Sequence, residues 1–159
     1  GKMADKSKLG MEFPSYTFEV EKGKIAEFAM AISQKEDKNQ VNPLYADREA
    51  AKQSGYQDVI APPTFQTCFP LWAAGGLLPL IQALGIDLIR LLHGEEEYEY
   101  FGAIHPGDVM TGKSKVVEMY EKEKKDKPGK FMDFTVIETE IRNQRGELVI
   151  KTRSTLVER

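Results

Sequence analysis

Apolar residues recur at helical spacing early in the chain and at alternate positions over its second half. Ile25, Phe28, Ala29 and Ile32 share one face of a helix that starts at about Lys22, after an extended stretch at residues 18–20. The polar run SQKEDKNQVNPLY, residues 33–45, ends in Asn-Pro and reads as a loop. Asp47 can cap a short helix through Ala51, and Gly55 can end it. After the loop YQDVIAPP, Pro63 suits the first turn of another helix, where its missing N–H has no partner to lose. That helix carries Phe65, Cys68, Phe69 and Trp72 and stops near Gly75 and Gly76; apolar on several faces, it is expected to be buried.

From Leu88 the period shifts toward two. In LIRLLHGEEEYEYF, Tyr98 and Tyr100 alternate with Glu97 and Glu99. DVMTGKSKVVEMYEKEKK, KFMDFTVIETEIRN and GELVIKTRSTLVE read as long strands. NQRG is a hairpin turn, KKDKPGK a solvated loop, and HPGD, at His105 to Asp108, a turn between strands. The pattern predicts an α+β domain over residues 9–159, with antiparallel strands around one buried helix. Periodicity alone leaves several α+β folds open. Sheet edges of this kind commonly pair with another copy or a partner chain.

Composition narrows the function classes. The chain has 159 residues, 41% hydrophobic and 30% charged, with a net charge of -3. That gives no electrostatic case for nucleic acid. A single cysteine, Cys68, rules out an internal disulfide framework and fits a reducing cytosol, so a cytoplasmic location is expected. No metal-ligand cluster is visible, and no metal or resident cofactor is expected. The apolar stretch at residues 68–92 is broken by Pro70, Gly75, Gly76, Pro79 and Gly85 and carries Gln82, Asp87 and Arg90, so it is not read as a membrane span. The opening is polar; Gly1 and Lys2 before Met3 read as a cloning remnant, and residues 1–8 as a disordered tail.

FAMAIS (residues 28–33), NPLYADREAAKQSGY (42–56), VIAPPTF (59–65) and LLHGEEEYEYFGAIHPGD (91–108) occur in the order and spacing of a known family. With these landmarks the chain resembles the MaoC-like dehydratases, most closely their N-terminal-domain type. The resemblance implies a hotdog fold and a fatty acyl thioester, on CoA or acyl carrier protein, as the bound substrate. The family reaction is reversible hydration of a trans-2-enoyl thioester to the (3R)-hydroxyacyl thioester. Such chemistry needs a carboxylate and an imidazole to activate water, a donor for the enolate-like oxygen, and an apolar tunnel.

Active members resembling this chain carry Asp-x-Asn-Pro-x-His and then a glycine at the start of the central helix. Here Asn42 and Pro43 match. Tyr45 stands at the histidine position; a phenol with an ordinary pKa of about 10 is a poor base near neutral pH. Gln40 stands at the aspartate position, or Gln34 if the loop is aligned from FAMAIS; neither amide can act as a base. Pro63 stands at the glycine position and has no N–H to offer, although Thr64 beside it has one.

With these departures, the chain resembles the catalytically incomplete subunit of (3R)-hydroxyacyl-ACP dehydratases. The resemblance implies a homodimer, or a heterodimer with a catalytic hotdog subunit that supplies the Asp and His. Gln40 and Tyr45 are then vestigial catalytic positions, and Asn42, Pro63, Thr64, Phe65, Phe69 and Trp72 are the expected substrate-binding residues. Each has a structural alternative: Asn42 as a loop former, the aromatic residues as core, His105 and Asp108 as turn formers, and the glutamates at 95, 96, 97 and 99 as a solvated strand face. Two functional alternatives stay open. One is a self-sufficient hydratase with a relocated base, Asp37 or His93; the other is a non-enzymatic acyl-thioester-binding module.

Overall fold

The computed structural model describes residues 4–63, 65, 78–87 and 89–159. In chain order these form β1 (Tyr16–Glu19), α1 (Lys22–Ser33), α2 (Arg48–Gln53), α3 (Leu78–Leu84), β2 (Leu91–Tyr100), β3 (Val109–Glu123), β4 (Phe131–Arg142) and β5 (Leu148–Glu158). Among the described residues the strands make one antiparallel sheet in the order β1-β3-β4-β5-β2. The α+β expectation holds. The helix expected from Pro63 to about Gly75, with Thr64, Cys68, Phe69 and Trp72, lies outside the described residues apart from Pro63 and Phe65.

Strand pairing places the two apolar clusters on one face of the sheet. Ile137 and Ile141 on β4 share strand parity, as do Ile150 and Leu156 on β5, and all four are buried. Two apolar clusters therefore sit along the same face. In the first, Phe65 meets Phe18 and Phe28 edge to face, with Ile25, Met110 and Ile150 packed around them. In the second, Ile81 and Leu84 of α3 press on Val116, Ile137 and Leu156. Gly94 marks a register shift between His93 and Glu96, where any Cβ would collide with the Thr155 carbonyl oxygen.

α1 begins at Lys22 as its periodicity predicts, and Ile25 and Ala29 are buried. Ile32, predicted on the same face, is 52% exposed, because the last helical turn runs past the packed cluster. The helix ends at Gln34, whose backbone is left-handed (φ 55) and whose N–H bonds back to Ala31 and Met30.

The disordered tail expected over residues 1–8 needs correction from Ala4 onward. Lys6–Lys8 form a turn of 3-10 helix capped by Asp5. Ala4 is buried against α3, and its N–H donates to the buried Glu158 carboxylate at 2.9 Å. The Asp5 N–H donates to the Leu84 carbonyl, and Lys6 pairs with the buried Asp133 at 3.1 Å. Burial and these bonds outweigh the polarity that made the segment read as free chain.

Candidate functional site

The signature loop is a series of local turns, each made by its own polar side chain. Asp37 accepts from the Asn39 N–H at 3.0 Å and caps the 3-10 turn Lys38–Gln40. Asn42 accepts from the Leu44 N–H at 3.1 Å and caps the turn Pro43–Tyr45. Asp47 accepts from Glu49 and Ala50 at the start of α2. Asn42 thus forms the loop in the way its structural alternative requires. Asp37 and Gln40 are exposed, and the Asp37 carboxylate is engaged with its own turn. Gln34, the other amide at the aspartate position, is exposed and serves as the α1 cap. Tyr45 is half-buried and packs against the first core cluster. The structure brings together Asn42 and Tyr45 of the signature but places no carboxylate with them among the described hydrogen bonds and ion pairs.

The start of the expected central helix has a similar character. Pro63 offers no N–H, and its carbonyl accepts from the Tyr100 hydroxyl. The Phe65 N–H is engaged with the Pro62 carbonyl at 3.0 Å. Neither residue presents a free donor for a developing oxyanion; Thr64 lies outside the described residues. The Phe65 side chain is fully buried in the aromatic cluster. Phe69 and Trp72, the other expected wall residues, lie outside the described residues, as does the His93 side chain. Next to Tyr100, burial and then the Glu96 carboxylate push the Tyr98 phenol above its ordinary range, so it is no base either. Glu95, Glu96, Glu97 and Glu99 are exposed along β2.

A second site was not singled out from sequence. The HPGD turn, the loop after α2 and the β4–β5 hairpin enclose a cleft of about 640 Å³, lined by Arg48, Tyr56, Asp58, His105, Gln144 and Arg145 among others. Gly107, at φ +86, makes the sharp turn that sets His105 against Asp108. Asp108 is 9% exposed; it accepts from the His105 N–H at 2.9 Å and from Gln144 Nε2 at 2.9 Å. Gln144 in turn accepts from the Val109 N–H at 3.0 Å. His105 Nδ1 lies 3.2 Å from the Val59 carbonyl oxygen. A carbonyl can only accept, so the proton sits on Nδ1. His105 and Asp108 are turn formers as expected, and the same bonds fix one wall of the cleft. The signal for this site was the pairing of an HPGD turn with an NQRG hairpin, two turns whose proximity no local pattern encodes.

The cleft and the signature loop are joined by one short segment. Tyr56, Gln57 and Asp58 line the cleft, and two residues on, the Ile60 N–H donates to the Leu44 carbonyl at 3.0 Å. The Ala61 N–H then donates to the Ile104 carbonyl at 2.9 Å, just before His105.

Comparison with known proteins agrees with this architecture. Residues 7–152 match the model of the FAS1-like, dehydratase domain region. A UPF0336 protein of Saccharopolyspora erythraea is 37% identical over 156 residues, covering 98% of this chain and 91% of the relative. In structure the chain is similar to the C-terminally truncated HadBC (3R-hydroxyacyl-ACP dehydratase) complex of Mycobacterium tuberculosis, with a TM-score of 0.73, 22% identity and coverage of 94% and 96%. It is also similar to a MaoC-like dehydratase, with a TM-score of 0.76 and 21% identity, spanning 96% of this chain and 42% of that one. The fold is therefore the hotdog fold, as the landmarks implied. By its sequence, this chain belongs to the FAS1-like, dehydratase domain region family.

Proposed function

We propose that the chain is the acyl-thioester-binding, catalytically incomplete subunit of an (R)-specific enoyl-thioester hydratase, or (3R)-hydroxyacyl-thioester dehydratase, of the cytoplasm. The observation that carries this reading is the state of the signature loop. Its scaffold is retained, since Asn42 caps the Pro43–Tyr45 turn and Asp47 caps α2. Its proton-handling positions hold an exposed amide, Gln40, and a phenol, Tyr45. An amide has no basic lone pair to take a proton from water, and a phenol is mostly protonated near pH 7. Water activation then falls to a second hotdog subunit, which supplies the Asp and His.

The sheet offers a place for that partner. β2 is an edge strand among the described residues, and Leu92, Phe101 and Ile89 along or beside it are exposed. A partner's sheet added there would pair open backbone groups and cover these side chains. The similarity to a heteromeric complex, and to 42% of a longer MaoC-like chain, supports an assembly of two hotdogs.

The test is enzymatic. The chain is purified alone and assayed with crotonyl-CoA and longer enoyl thioesters, then assayed again with a complete Asp-x-Asn-Pro-x-His subunit. Turnover is expected only in the second case. Robust hydration by the pure chain overturns the reading in favour of a self-sufficient hydratase. Thioester binding with no turnover in either case makes the chain a binding module.

A further inference from the structure

The cleft around His105 holds an imbalance of hydrogen-bonding capacity. Its carboxylates are engaged. Both oxygens of Asp108 accept bonds, from His105 and from Gln144. Asp58 accepts from the Val59 N–H at 2.7 Å and faces Lys22 at 3.6 Å. Burial pushes the Asp58 carboxyl up, but that N–H and the Lys22 and Arg48 cations outweigh it and hold the group ionised to lower pH. Glu147, beside the cleft, holds Arg145 Nε at 2.8 Å.

Its donors are less fully engaged. Arg48 acts on Asp58 through space but makes no ion pair or hydrogen bond among the described residues. Arg145 uses Nε on Glu147 and retains its terminal nitrogens. With Nδ1 turned to Val59, His105 Nε2 is the ring's remaining polar atom. It can accept from a P–OH group or, once protonated, donate to a phosphate oxygen. The Tyr56 ring lies 6.1 Å from the imidazole and adds a hydroxyl. A pocket whose acids are engaged and whose guanidinium groups keep unused N–H donors is complementary to a compact, acceptor-rich anion.

We propose that this cleft binds a phosphate group, and that the group belongs to the arm carrying the thioester. The second half of the proposal rests on the acyl-thioester reading above. The segment 56–61 lines the cleft at one end and is bonded to the signature loop at the other, so a few residues join the two sites. A phosphate in the cleft would then anchor the arm while the acyl end lies toward Tyr45. Phosphate chemistry is shared by the nucleotide end of CoA and by the 4′-phosphopantetheine of a carrier protein.

The experiment is calorimetric titration of the full chain with CoA, 4′-phosphopantetheine, pantetheine, inorganic pyrophosphate and butyryl-CoA. CoA and pyrophosphate should bind with an affinity that falls as salt rises, and pantetheine, which has no phosphate, about tenfold or more weakly. Arg48→Gln should weaken CoA and pyrophosphate by about tenfold and leave pantetheine unchanged. His105→Asn should weaken the same two probes, which guards against an effect peculiar to one variant. Equal binding of 4′-phosphopantetheine and CoA assigns the cleft to the carrier arm, and a strong preference for CoA assigns it to the nucleotide end. Equal binding of CoA and pantetheine, with Arg48→Gln silent, overturns the proposal even if butyryl-CoA binds. Arg48-dependent binding of CoA with no gain from the butyryl group keeps the phosphate site and removes the acyl-thioester reading.

Discussion

The signature loop and the His105 cleft are both built from turns, prolines and polar side chains, yet they are bonded in opposite ways. In the signature loop the polar capping side chains reach only two or three residues along the chain, as Asp37, Asn42 and Asp47 do. Around the cleft, His105 reaches Val59 across 46 residues, and Gln144 reaches Asp108 across 36. A loop held by local bonds keeps its turns whatever side chain stands at a position such as Gln40, whose side chain takes no part in those bonds. A wall held by long-range bonds has its side chains fixed by the whole fold, which is the rigidity a binding site needs.

The contrast can be broken by mutation. The largest effect is expected where the signature segment leaves its loop and enters the core. Phe65→Ala should cost about 3–5 kcal/mol by urea unfolding, because it empties the aromatic cluster with Phe18 and Phe28. A loss under about 1 kcal/mol would instead make Phe65 a wall of open space. Next, Asp108→Ala should cost about 2–3 kcal/mol, since it leaves the His105 N–H and Gln144 without their acceptor. Asn42→Ala removes one local cap and should cost only about 1 kcal/mol. Equal losses for the last two would dissolve the distinction between the two regions.

Glu158, at the far end of the sheet face, gives a control outside both. Burial, reinforced by Asp133, holds its carboxyl above the usual range, against the pull of the Ala4 and Asp87 N–H groups and Lys6. One of its oxygens, Oε2, is buried with no hydrogen-bond partner among the described residues. A carboxyl raised by folding contributes stability that is complete below its unfolded pKa and lost as pH rises through its folded one. Glu158→Gln should therefore flatten the decline in melting temperature from about pH 4 toward neutral. At pH 7 it should be the more stable protein by about 1 kcal/mol, roughly 3 °C at this size. A steeper decline in the variant would reverse the sign of the effect. The smallest effect is expected for Asp37→Asn, whose side chain is exposed and engaged with its own turn. Turnover by the assembled complex should change by less than about twofold; a loss of tenfold or more would restore Asp37 as a relocated base.

What the sequence revealed follows the same division. The start of α1 at Lys22, the Asp47 cap, the NQRG turn and the long strands β4 and β5 are local signals, and each stands where the pattern put it. The turn that Asn42 makes at Pro43 was legible for the same reason. The placement of residues 4–8 was not, because Ala4 and Lys6 are fixed by Glu158 and Asp133, far away in the sequence. Nor was Ile32, whose helical phase is right but whose turn extends beyond the core. The cleft was not legible because Arg48 comes from the start of α2 and His105 and Gln144 from two separate turns, which only the folded chain brings together.

The central claim is that this chain frames an acyl-thioester site without supplying its base. The most direct measurement is the rate of crotonyl-CoA hydration by the pure chain, before and after a complete hotdog subunit is added. No turnover above background alone, with turnover appearing on addition and disappearing when the partner's histidine is replaced, is the predicted result. Turnover by the pure chain at a rate comparable to the complex would contradict it.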